Sequence, residues 1–229
     1  MIIQGFASRH SAGSLSGHTQ GRRRLGLHAQ RGAEPLRSSN PNYIIQMIPS
    51  EIRVLGADDA GAFSQLRLEA LESELQAFGS SATEHRLLTP DVFRARISSD
   101  PANKFVVGAF VGGQLVATAG LVREPNLKQR HKARIWGVYL KANVRGQGLG
   151  RRLLTEVLRR AARIEGVEQI QLAVAAPQTA AIALYHSHGF TSYGREPRAL
   201  KIGDRYIDEE LMVLHLSKHD PVDTHRDVR

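Results

Sequence analysis

No cysteine occurs in the 229 residues, which removes disulfides, thiolate metal sites and a cysteine nucleophile together. Apolar runs are short as well. Nothing approaches the roughly 18 consecutive apolar residues of a membrane-spanning helix, and Met1-Ile2-Ile3 is too brief for the core of a signal peptide. The chain is therefore expected to be soluble and cytoplasmic, with no membrane partner. Aromatic residues make up only 6% of it, with a single tryptophan, and they do not interleave with basic residues as a nucleic-acid-binding stripe would require. Acids are scarce at the start: residues 1–47 hold six arginines and one glutamate, more than half of the formal net charge of +9. The rest is modestly basic, with Arg145, Arg151 and Arg152 gathered at one turn, which suits a phosphate-bearing small ligand better than nucleic acid. No His/Asp/Glu spacing suggests a metal site.

What is present divides into three stretches. Residues 1–46, rich in Ser, Gly, Arg, His and Gln, have no apolar period to offset the entropy of ordering and are expected to be a disordered basic leader. Their composition fits a transit peptide, a vector-derived leader or a start codon placed too early, with Met47 as the start. A folded domain is expected over 47–216 and a disordered polar tail over 217–229. Inside the domain, Ile52-Arg53-Val54-Leu55 reads as a short strand. Asp58-Asp59 is expected to cap a helix whose Phe63, Leu66, Ala70 and Leu71 face inward. Thr89-Pro90-Asp91 announces a second helix, with Phe93 and Ile97 inside.

Runs from Lys104 to Val111 and from Leu115 to Val122 flank Gly112-Gly113 as a hairpin. Ala133 to Leu140 forms a further strand. Leu149, Leu153, Leu154, Val157, Leu158 and Ala161 then repeat at helical spacing, and Gly166 is expected to end that helix. A strand from Ile170 to Ala175, a helix from Thr179 to His186, and a hairpin of Ala199–Ile202 with Tyr206–Leu216 complete the domain. This order predicts a mixed α/β (α+β) layer fold with a largely antiparallel sheet flanked by helices.

The most informative segment is Arg145-Gly146-Gln147-Gly148-Leu149-Gly150, lying between a strand and a helix. That arrangement offers backbone N–H groups and a helix N-terminus to a phosphate, and the glycines let it approach closely. The third glycine comes one residue too early for a dinucleotide fingerprint, and no Lys-Ser or Lys-Thr follows as in a P-loop. A tight strand-to-helix turn without a ligand would use the same residues.

Arg145-x-x-Gly148-x-Gly150 after Trp136-Gly137-Val138-Tyr139-Leu140 resembles the acetyl-CoA signature of the GNAT N-acetyltransferase superfamily. Ala181-Ile182-Ala183-Leu184-Tyr185 with Gly189-Phe190 resembles its later motif. The segments Tyr193–Leu200 and Asp208–Met212 are similar to a bacterial subgroup of unassigned acceptor. The resemblance spans Ile52 to Leu216. It implies a sheet splayed between the two strands around the glycine-turn helix, acetyl-CoA as cosubstrate, no metal, and an amine-bearing acceptor, small molecule or protein. It also implies a monomer or homodimer. Val138, Tyr139 and Leu140 would border the pantetheine arm. Arg145, Gly146, Gln147, Gly148, Leu149, Gly150 and Arg151 would hold the pyrophosphate, Gln178 would touch the cofactor where relatives often carry Asn, and Tyr185 would be the general acid. Arg134 stands where some relatives carry a carboxylate base.

The implied reaction is direct attack of a primary amine on the thioester in a ternary complex. Its base is left open among His131, Glu72, Glu84, His85 and a water relay. A non-catalytic acyl-CoA-binding module of the same fold is the alternative. An arginine-rich nucleic-acid-associated protein is a third reading, disfavoured because the charge sits in the leader.

Overall fold

A computed structural model describes residues 50–216. The expectations for residues 1–46 and 217–229 lie outside the described residues. The chain enters through β1 (Ser50–Val54), followed by α1 (Ala60–Ser73), α2 (Ala82–Arg86) and α3 (Pro90–Ile97). Then come β2 (Lys104–Val111), β3 (Gln114–Arg123), β4 (Lys132–Leu140), α4 (Leu149–Ala161), β5 (Gln169–Ala175), α5 (Thr179–His186), β6 (Thr191–Ile202) and β7 (Arg205–His215). The strands form one seven-stranded sheet in the order β1-β2-β3-β4-β5-β7-β6.

Every neighbouring pair is antiparallel except β4 with β5, where α4 is the crossover that a parallel connection needs. That helix buries Leu149, Leu153, Leu154, Val157 and Ala161 along one stripe, each leucine or valine contributing about 1.5–3 kcal/mol over exposure. With Phe105, Val107, Ile135 and Ile170 they form a core on one face of the sheet. On the other face, Phe63, Leu66 and Ala70 of α1 meet Phe93 and Ile97 of α3 over Val106, Phe110 and Tyr139.

Three local expectations are corrected, and one short helix is added. Asp59 stands at the N-cap position of α1 but its side chain makes no cap hydrogen bond to that helix. Its carboxylate instead accepts from Gly56 N at 2.8 Å and from Arg53, closing a 3-10 turn before the helix. The added helix is α2, a single turn with too little apolar period to be read from the sequence. Its N-terminus is nonetheless capped by Ser81, whose hydroxyl accepts from Glu84 N at 3.1 Å while Ser81 N donates to the Glu84 carboxylate. The helix α4 stops at Ala161, and Gly166 belongs to the turn that follows it. Finally, β6 begins at Thr191 rather than Ala199. Its first eight residues are exposed, so they lack the inside-outside alternation that marks a strand, and Pro197 is tolerated because β6 is an edge.

Candidate active site

The site begins with an irregularity in β4. Thr118 of β3 pairs with Tyr139 and Gly120 with Trp136, so Gly137 and Val138 together oppose the single residue Ala119. This is a β-bulge, and Gly137 supplies it with a φ of +62°. Thr118 Oγ1 donates to the Gly137 carbonyl at 3.3 Å. The indole of Trp136 lies flat over Gly120, where a Cβ would stand 2.4 Å from Trp136 Cε2. Pairing between β4 and β5 is confined to Lys132–Arg134 with Gln169–Gln171. Beyond Arg134 the two strands separate, giving the expected splay.

At the open end of β4 the chain makes a 3-10 turn pinned by the buried Val144 and then reverses through Gly146 and Gly148, at φ +74° and +75°. Gly148 is the N-cap of α4 and brings no side chain to the first-turn N–H groups. The helix start lies close to Leu140 and Leu184, which a Cβ on Gly150 would meet at 3.4 and 3.5 Å. Between this turn, the end of β4 and α5 lies a cleft of about 400 Å³. Of the residues expected to contact the cofactor, Val138, Tyr139, Leu140, Arg145, Gly146, Gly148, Gly150, Arg151 and Gln178 line it, as does Tyr185. Two do not: the Leu149 side chain is buried in the core, and Gln147 Nε2 donates to the Asn143 carbonyl at 3.1 Å.

The arginines of the turn divide in use. Arg151 faces the cleft. Arg145 is held by Leu140, whose carbonyl accepts from its Nε at 2.9 Å, and by an ion pair with Glu74 at 2.8 Å. Arg152, expected to add charge for phosphate, donates instead to Ser50 Oγ and the Ser50 carbonyl at the start of β1.

A narrower cavity of about 100 Å³ continues from the cleft into the gap between β4 and β5, and Tyr185 lines both. Its ring is 5% exposed and lies edge-on to Phe190. Its hydroxyl has no hydrogen-bond partner among the described residues, and burial pushes its pKa up to about 12.

Sequence reasoning missed the cover of this cleft. Glu74, just past α1, bridges Arg145 and Gln178, whose Nε2 donates to the same carboxylate at 3.3 Å. Ala77 and Phe78 follow it along the cleft wall, and the Arg67 guanidinium backs Phe78 at 4.1 Å from the ring centroid. These residues lie on a helix end and a loop, and no spacing in the sequence ties them to a turn 70 residues away.

The residues weighed as bases are engaged elsewhere. His85 is buried between α1 and α3, its Nε2 donating to the Ser64 carbonyl at 2.9 Å, and burial holds its pKa below the ordinary imidazole value. Glu84 caps α2, Glu72 pairs with Arg86, and Arg134 pairs with Glu124. His131 sits at the end of β4 away from the cleft, where its carbonyl accepts from Glu168 N. Among the described residues no group of three or more His, Cys, Asp or Glu could hold a metal ion. No helix among them is long and apolar enough to cross a membrane.

Residues 68–190 match the family model of the acetyltransferase (GNAT) family. The chain belongs to the GNAT family. Among solved structures, a GNAT acetyltransferase from Streptococcus pneumoniae is 24% identical with a TM-score of 0.66, covering 74% of this chain and 100% of its own. The Salmonella typhimurium protein yncA, solved with its cofactor acetyl-CoA, is 23% identical with a TM-score of 0.64, over 77% and 99% of the two chains. A ribosomal-protein-alanine N-acetyltransferase from Brucella melitensis is 26% identical with a TM-score of 0.58, over 72% and 99%. No curated protein matches the chain. The mixed, mostly antiparallel sheet flanked by helices is thus the GNAT fold.

Proposed function

We propose that this GNAT protein is an acetyl-CoA-dependent N-acetyltransferase that passes an acetyl group directly to a primary amine in a ternary complex. The observation that carries this reading is the single cleft running from an uncapped helix start into the gap between β4 and β5, with Tyr185 at the junction. The N–H groups from Gly146 to Arg151 and the positive end of α4 receive the pyrophosphate. Val138 and Leu140 pair with the pantetheine arm as an added strand would, which the divergence of β5 leaves room for. The N–H of Val138 stabilises the oxyanion that develops on the thioester carbonyl. Tyr185, still protonated at neutral pH, donates its proton to the departing thiolate. Support for the donor comes from the fold shared with yncA, which binds acetyl-CoA.

The test combines calorimetry with free-thiol detection over a panel of polyamines, amino acids, aminoglycosides and peptides with free N-termini or lysines. Acetyl-CoA is expected to bind, and at least one amine to release CoA. Gly148→Val places a branched side chain at the pyrophosphate position and should weaken acetyl-CoA binding at least tenfold, about 1.4 kcal/mol. Because Gly148 has φ +75°, the variant also carries backbone strain of about 1–3 kcal/mol, so affinity is measured below its melting point. Unchanged affinity would remove the cofactor assignment. Binding without turnover of any amine would leave a non-catalytic module.

A further inference from the structure

The reaction above leaves the acceptor's proton without a destination. Along β5, side chains alternate between the faces of the sheet. Leu172 and Val174 join the core beneath α4, whereas Ala173 and Ala175 turn to the opposite face, and all four border the cavity in the gap. The gap therefore passes through the sheet, with Tyr185 on the α4 and α5 side. Register carries the opposite face onward. Ala175 stands opposite Glu209 of β7 in an unbroken antiparallel pairing, and Glu209 stands opposite Glu196 of β6. Directly opposed residues share a face, with Cβ atoms about 4.5–5.5 Å apart, so the Glu209 side chain starts beside the Ala175 edge of the cavity. The loop after α1 bounds this side: Phe78 lines the cavity, and a Cβ on Gly79 would lie 3.8 Å from Leu200 Cδ2 of β6.

Glu209 is half-buried and has neither a hydrogen bond nor an ion pair among the described residues. By contrast, its neighbour Asp208 accepts from Arg195 Nε and Arg198 N. A part-buried carboxylate without a partner is costly unless a ligand supplies one.

We propose that Glu209 is the group that receives the acceptor amine and takes its proton, on the face of the sheet opposite Tyr185. This rests on the acyltransferase reading above. As the neutral amine nitrogen attacks the thioester carbonyl, the C–N bond forms and the nitrogen gives one proton to the Glu209 carboxylate. The C–S bond then breaks with its electron pair moving to sulfur, and the thiolate takes the Tyr185 proton. Water afterwards accepts the proton from Glu209 and returns one to Tyr185. Burial first, and the Glu196 charge second, raise the Glu209 carboxyl above its ordinary value, as suits a base near neutral pH. Glu196 is the charged group that faces it across β6. The β5 neighbour is Ala175, and Phe78 and Gly79 in the α1 loop are uncharged.

The test is Glu209→Gln, measured as kcat/KM against pH with the most active amine of the panel, alongside acetyl-CoA affinity. The expected result is a loss of about 10²–10⁴-fold, disappearance of the acid limb of the profile, and acetyl-CoA affinity within twofold of wild type. Glu209→Asp should recover part of the rate. Glu196→Gln should move the acid limb to lower pH, because the like charge that raises the Glu209 pKa is gone. If Glu209→Gln keeps turnover within twofold and the same acid limb while wild type is active, Glu209 is not the base and the acetyltransferase reading stands. If wild type binds acetyl-CoA but turns over no amine, that reading fails and this proposal fails with it.

Discussion

Tyr185 combines near-complete burial with a hydroxyl that has no partner among the described residues, at the point where the cleft meets the gap in the sheet. Desolvation disfavours the phenolate, so the group stays a proton donor well past neutrality. Tyr185→Phe removes one oxygen and little volume. It should leave acetyl-CoA affinity nearly unchanged and lower CoA release by up to about 10²-fold, less than a general acid often contributes because a thiolate leaves readily. The pKa of about 12 adds a sign. Because the folded value lies above the ordinary ~10 of a free phenol, the protonated hydroxyl favours the folded state below about pH 10. That advantage is lost as pH rises through 12, so wild type should lose stability over this window more steeply than Tyr185→Phe in alkaline denaturation. Equal turnover in the two proteins would leave the hydroxyl at most a positional role, and joint loss of turnover and binding would make it part of the cofactor wall.

At the scale of elements, the site depends on β4 leaving its partner, and the bulge is where it does so. Gly120 and Trp136 fit face to face at the register shift, with no room for a Cβ. Gly120→Ala should therefore overpack the junction and cost about 1–3 kcal/mol, read as a lowered Tm. In a Trp136→Leu background the same change should cost much less, because the obstructing indole is absent; an equal cost in both backgrounds would place the strain elsewhere. The α4 stripe, the Gly112-Gly113 hairpin and α5 were legible in the sequence because each follows from a local period or a turn residue. The bulge was not, since it arises from pairing between residues 118–120 and 136–139 that no local pattern encodes. For the same reason the candidate cleft was legible where backbone borders it, at Gly146, Gly148 and Gly150. It was illegible where distant side chains line it, at Glu74 and Phe78.

For the whole molecule, sequence composition separated an arginine-rich beginning without an apolar period from a remainder of mixed charge with periodic apolar residues, and the first described strand starts at Ser50. Two ties hold Ser50, the first residue of that strand. Ser50 pairs with Val111 across β2, and Arg152 of α4 donates to both the hydroxyl and the carbonyl of Ser50, linking β1 to the helix whose N-terminus faces the cleft. We propose that residues 1–46 are dispensable for the fold, because they carry no periodic apolar face with which to pack. A truncated chain beginning at Met47 keeps both ties and should melt within about one or two degrees of the full chain, with acetyl-CoA affinity unchanged. A chain beginning at Ile52 loses Ser50 and leaves Arg152 without these acceptors, so it should melt measurably lower. Differential scanning calorimetry of the three chains decides the matter: a large loss already at Met47 would mean that the basic leader packs on the domain.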